Sequence, residues 1–111
     1  MPLTMTSSVQ GSTARLQLAG ELDSSSASAV REAVDKVLSG SPRTLILQVE
    51  RLAFMSSAGL RVLIFAKQKQ PGLNIYVVKP QPAIIDTLRK TGFYDAVYVT
   101  ETEPDAGAAP V

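Results

Sequence analysis

From Thr13 to Leu18 apolar and polar residues alternate, with Ala14, Leu16 and Leu18 set against Thr13, Arg15 and Gln17. That period of two predicts a β-strand with one buried face. Gln10-Gly11-Ser12 just before it has turn chemistry, so residues 3–9 are expected to pair with it as a hairpin. Gly20-Glu21-Leu22-Asp23 then breaks the alternation, and Asp23 or Ser24 can cap a helix by accepting a hydrogen bond from a free backbone N–H. In that helix Ala27, Val30, Ala33, Val34, Val37 and Leu38 recur at three- and four-residue spacing, which makes one apolar stripe. Gly40, with Pro42 close behind, ends it.

Thr44 to Val49 is nearly continuous β-favouring apolar sequence, as a central strand covered on both sides requires. A loop through Ala53-Phe54-Met55 should lead to a second helix, starting near Ser56 or Ser57 and stopped by Pro71-Gly72. Asn74 to Val78 reads as another buried strand. Pro80-Gln81-Pro82 opens a third helix carrying Ile84, Ile85 and Leu88 and ended by Gly92, and Ala96 to Val99 makes a short edge strand. The order β-β-α-β-α-β-α-β predicts an α/β fold. It is a mixed, mostly parallel sheet with an N-terminal hairpin and helices packed on its faces. Residues 1–100 form this domain; Glu101 to Val111, with Pro104, Gly107 and Pro110, read as a flexible tail.

Composition narrows the chemistry. A chain of 111 residues with 45% hydrophobic residues can bury a core without staples. Eleven basic residues against ten acidic ones leave a net charge of +1, which argues against a nucleic-acid or polybasic membrane binder. Cysteine and histidine are absent, so disulfides, thiolate nucleophiles, imidazole bases and the usual zinc sites are excluded. Only a carboxylate site for magnesium or calcium stays open, and no cofactor is expected. The glycines match neither the dinucleotide fingerprint nor the phosphate-cradling loop with its lysine. The N-terminal residues have neither a basic region nor a long apolar run, and Leu60 to Ala66 is far short of the ~20 residues of a spanning helix. The expected address is the cytoplasm, and the expected protein is not an enzyme.

One segment fits no purely structural need: Phe54-Met55-Ser56-Ser57-Ala58-Gly59-Leu60, where a buried strand hands over to a helix. In open α/β sheets functional groups gather at this carboxyl end. Two adjacent hydroxyls sit at the free N–H groups of the helix, where the dipole welcomes an anion. Either serine can equally be a plain N-cap, the role serine favours. On the helical wheel Leu60, Val62, Leu63, Ile64 and Ala66 face the core, while Arg61, Gln68 and Phe65 fall outside that arc. An aromatic on the wet side suggests a docking patch, although single exposed apolar residues are common. Glu21 and Asp23 precede a helix and can act simply as caps, and Lys67 and Lys69 read as solvated helix residues.

The chain resembles the STAS domain of bacterial anti-sigma factor antagonists over roughly residues 5 to 100. The carriers are Leu18-Ala19-Gly20-Glu21-Leu22-Asp23, Phe54-Met55-Ser56-Ser57-Ala58-Gly59-Leu60 and Leu88-Arg89-Lys90-Thr91-Gly92-Phe93, in the family's order and spacing. The resemblance implies that Ser57 is the phosphorylated serine, with Ser56 as second choice. With the family's acidic residue falling on Asp23, the expected partner-binding surface takes in Glu21, Asp23, Ser56, Ala58, Gly59, Arg61 and Phe65. The implied partners are an anti-sigma factor that is itself a serine kinase and a metal-dependent serine phosphatase. No direct contact with nucleic acid or membrane is expected, and the expected state is a monomer or weak dimer. Ser56 stands where the family carries an aspartate. The competing expectations are a constitutive adaptor with a different partner and a small nucleotide-binding protein using the helix start at Ser56 as a phosphate site.

Overall fold

The computed structural model describes residues 2–103. Strands β1 (Thr4–Gln10) and β2 (Thr13–Leu22) form the hairpin. Helix α1 (Ala27–Leu38), strand β3 (Thr44–Met55), helix α2 (Ser57–Lys69), strand β4 (Asn74–Val78), helix α3 (Pro82–Lys90) and strand β5 (Tyr98–Thr100) follow, with a 3₁₀ turn at Phe93–Ala96. The five strands lie in chain order, β1-β2-β3-β4-β5, in one sheet. Among the described residues only the β1–β2 pair is antiparallel; β2–β3, β3–β4 and β4–β5 are parallel.

The three helices share one face of this sheet rather than covering both. Val30 and Val34 of α1, Leu60 and Leu63 of α2, and Ile84 and Leu88 of α3 join Leu16, Leu18, Leu45, Leu47, Ile75 and Val77 in one core. The intervening residues Ile46, Tyr76 and Val78 form a separate cluster on the opposite face. Strand order explains this. Each crossover steps to the next neighbour in the same direction, and crossovers of one hand then deliver every helix to the same side. A doubly wound sheet needs a reversal of order, which is absent here. On the helix-free face Tyr98 stacks on Tyr76 with ring centroids 4.9 Å apart, and Glu103 of the returning chain pairs with Arg15 at 2.8 Å. Of the tail expected over residues 101–111, residues 104–111 lie outside the described residues.

Two strands run past their expected ends. β2 continues through Gly20, Glu21 and Leu22, and β3 continues through Ala53, Phe54 and Met55, where a loop was expected. The cause is a pair of register shifts. Ala19 faces Arg51 and Gly20 faces Leu52, whereas Gln17 faced Gln48, and Glu21 then faces Phe54. Each shift gives β3 one residue more than β2, so its inward residues Val49, Leu52 and Met55 are spaced by three. A β-bulge of this kind keeps the strand paired while destroying its period-two pattern. Gly20 has φ +98, and a Cβ there would stand 2.4 Å from the Pro2 carbonyl oxygen, so only glycine lets the first residues cross at that point.

The other departures are small. α1 is preceded by a turn over residues 24–26, so its N-cap is Ser26 and not Asp23 or Ser24. The last strand begins at Tyr98 rather than Ala96, because Phe93–Ala96 is wound into the 3₁₀ turn after the left-handed Gly92. Among the described residues no helix is long and apolar enough to cross a membrane.

Candidate functional site

The extended β2 and β3 end side by side, and helix α2 starts from that end. The Ser56 N–H donates to the Leu22 carbonyl at 2.9 Å, tying the helix start to β2. Ser56 is the N-cap: its backbone is extended and its hydroxyl accepts from the Gly59 N–H at 3.4 Å. Gly59 lies against the ends of both strands. A Cβ at that position would fall 2.6 Å from Leu22 Cγ and 3.1 Å from Met55 Cγ. Glycine here allows the first turn of α2 to close onto the sheet, and α3 braces the same corner through the Thr87 hydroxyl, which donates to the Met55 carbonyl at 3.3 Å.

This seating separates the two adjacent serines. Ser56 is half-buried and engaged as the cap. Ser57 is the first residue of α2, it is exposed, and its hydroxyl makes no hydrogen bond among the described residues. The N-terminal N–H groups of α2 and the positive end of its dipole lie beside it. Helix α2 has no acidic residue in its first turn to offset that charge.

The turn before α1 lies alongside. Asp23 is its organiser: Oδ1 accepts from the Ser25 hydroxyl at 2.6 Å, from the Ser25 N–H at 2.9 Å and from the Ser26 N–H at 3.2 Å. The bonds from Ser25, hydroxyl first, hold the Asp23 carboxyl below the ordinary aspartate value. Glu21, half-buried, pairs in register with Phe54 on β3. A groove of about 270 Å³ separates the two helix starts, lined by Ser24, Ala27, Ser28 and Arg31 on one wall and Ala58, Arg61 and Val62 on the other. The groove is cationic, since both of its charged lining residues are arginines.

The sites expected from the sequence are therefore brought to one end of the molecule, with two corrections of detail. Phe65 is not on the wet side of α2. It is half-buried, with the Arg31 guanidinium 4.3 Å above its ring, because α1 packs closely enough to cover it. Gly59 is buried and shapes the helix start from within. The exposed aromatic beside the serines is instead Phe54, which is 44% exposed. The second bulge turns it outward while Met55 goes into the core, a consequence of strand pairing that no local pattern reveals. A larger hollow of about 380 Å³ lies elsewhere, on the helix-free face between Gln17, Gln48 and Lys79, and does not include the serines.

The STAS domain family matches residues 5–106. The chain belongs to that family. The chain is 30% identical over 67 residues to the anti-sigma-F factor antagonist RsfB of Mycobacterium tuberculosis. That match takes in 60% of this chain, and the chain spans only about half, 55%, of the relative's length. Among solved structures, an anti-sigma factor antagonist from Mycobacterium paratuberculosis superposes with a TM-score of 0.82 at 24% identity, over 95% of this chain and 91% of that one. The Bacillus cell fate determinant SpoIIAA in its phosphorylated form gives 0.71 at 22% identity, over 93% of this chain and 96% of that one. At these identities the structural likenesses establish a shared STAS fold.

Proposed function

We propose that this STAS domain is the antagonist in a partner switch. Unmodified, it binds an anti-sigma factor that is itself a serine kinase, and so frees a sigma factor in the cytoplasm. Phosphorylation of Ser57 ends the binding, and a metal-dependent phosphatase restores it. The protein acts by contact and is not itself an enzyme. Its contact surface is the end of the molecule that carries Glu21, Asp23, Ser56, Ala58 and Arg61, extending along α2 to the Phe65–Arg31 stack, with Phe54 as an added apolar anchor. The likeness to RsfB, which carries the name of an antagonist, supports this assignment.

The observation that carries the proposal is the division of labour between the two serines. Ser56 takes the capping role, which leaves the Ser57 hydroxyl exposed and without a partner among the described residues. Serine caps a helix about as well as aspartate does, so Ser56 can hold the cap at the position where the family carries an aspartate. In the modification the Ser57 oxygen bonds to the γ-phosphorus of ATP. The bond from that phosphorus to the bridging oxygen breaks, ADP leaves, and the hydroxyl proton passes to a base of the kinase. The product carries about −1.5 to −2 charges at the site, against a net charge of +1 for the whole chain. Helix N–H groups can accept such a group without loss of the fold. At an interface, charge placed against like charge costs several kcal/mol.

The test is incubation with ATP and the candidate kinase, followed by mapping of the modified residue by mass spectrometry. Phosphate on Ser57 is the expected result. Modification confined to positions outside Ser56 and Ser57 would overturn the proposal, and a protein that binds its kinase equally well with and without phosphate would be a constitutive adaptor.

A further inference from the structure

Arg61 lies in the second turn of α2, one turn beyond Ser57. It is exposed, and among the described residues it forms no ion pair, hydrogen bond or ring contact. The other cation that lines the groove, Arg31, is engaged over the Phe65 ring. Lys69, at the far end of α2, pairs with Asp35. Residues four apart on a helix are neighbours on its surface, with Cβ atoms about 5–6 Å apart. Ser57 and Arg61 have that spacing within α2.

We infer that Arg61 is the built-in receptor for the phosphate on Ser57. This rests on the proposed modification of that serine and adds how the protein responds to it. The planar guanidinium binds a phosphate through two parallel N–H bonds. The phosphate also supplies the negative charge that the first turn of α2 lacks. Arg61 lines the α1–α2 groove, so the pairing withdraws its charge from that groove. Phosphorylation thereby changes the surface twice, adding an anion at Ser57 and removing a cation that an acidic partner segment would meet. Arg31 does not share this role. Its guanidinium is held over Phe65, eight positions beyond Ser57 and about 12 Å along the helix axis. The carboxylate on the facing turn is Asp23, already committed to Ser25 and Ser26.

The test needs no partner protein. The full chain is prepared with phosphoserine installed at position 57, as wild type and with Arg61→Gln, Arg61→Lys or Arg31→Gln. The second ionisation of the phosphate is then followed by ³¹P NMR against pH. Arg61 favours the dianion, so its midpoint in the wild type is expected about half a unit below that of Arg61→Gln, the size an exposed ion pair produces. Arg61→Lys should recover part of the shift, Arg31→Gln should leave it unchanged, and added salt should narrow it. Equal midpoints for wild type and Arg61→Gln would overturn the inference. An equal loss of the shift in Arg31→Gln would also overturn it, since the effect would then be a general one of groove charge. Because the phosphate is installed directly, this result is independent of whether a kinase modifies Ser57. Failure of the kinase assay would reject the switch, and failure of the titration would reject the role of Arg61.

Discussion

Helices α1 and α2 start a groove's width apart, both after serine-rich segments, yet their starts are built in opposite ways. At α1 the hydroxyls of Ser25 and Ser26 turn inward to Asp23, and a separate turn intervenes between strand and helix. At α2 no such turn exists. β3 passes into the helix through Ser56 alone, and Gly59 draws the first turn against Leu22 and Met55. The short passage uses one hydroxyl as a cap and leaves the next outside. A run of serines therefore says little about which of them is available; the length of the connection and the closeness of the packing decide it.

The largest effect should come from the hydroxyl left outside. Ser57→Asp is expected to weaken binding of the kinase partner by about a hundredfold or more, measured by calorimetry, while the thermal midpoint stays within a few degrees. A collapsed fold would place Ser57 among the structural hydroxyls, as at α1. Next is the packing contrast. Gly59→Val forces side-chain atoms into Leu22 and should cost about 1–3 kcal/mol in urea unfolding. Ala29→Val, at the third residue of α1 and exposed, should cost within about 0.5 kcal/mol. Equal costs would mean that α2 is not held by close approach.

Removal of the cap by Ser56→Ala should destabilise the protein by about 1 kcal/mol, and Ser56→Asp should restore that loss. The smallest effect concerns the α1 turn. The Asp23 carboxyl titrates below its ordinary value in the folded protein, so its bonds stabilise the fold above the unfolded value and are lost as pH falls through the folded one. Ser25→Ala should raise the Asp23 value, seen by NMR titration. Its stability deficit at neutral pH should close in strong acid. A deficit that persists there would show that the Asp23 charge is not its source.

Local patterns were a good guide to α1, α2 and α3, whose apolar positions recur every three to four residues, and to the hairpin and β4, which turn residues and a short apolar run mark. They failed at Val49 to Met55, where inward residues recur every third position, a period belonging to neither helix nor simple strand. They also misplaced Phe65, since a helical wheel knows one helix's own faces but not that Arg31 of α1 lies across one of them. For the same reason Phe54 went unnoticed as the exposed aromatic.

By itself the sequence determined the class of fold, the absence of thiol and imidazole chemistry, and the segment from Phe54 to Leu60 as the place of interest. Those follow from residue type and near-neighbour spacing, which act within a few residues along the chain. Only the tertiary structure decided that the helices share one face, that two bulges carry β3 to Met55, and that Ser56 caps while Ser57 stays exposed. These depend on which distant strands pair and how closely they approach, and a Cβ excluded by a side chain thirty-seven positions away, as at Gly59 and Leu22, leaves no mark on local sequence pattern.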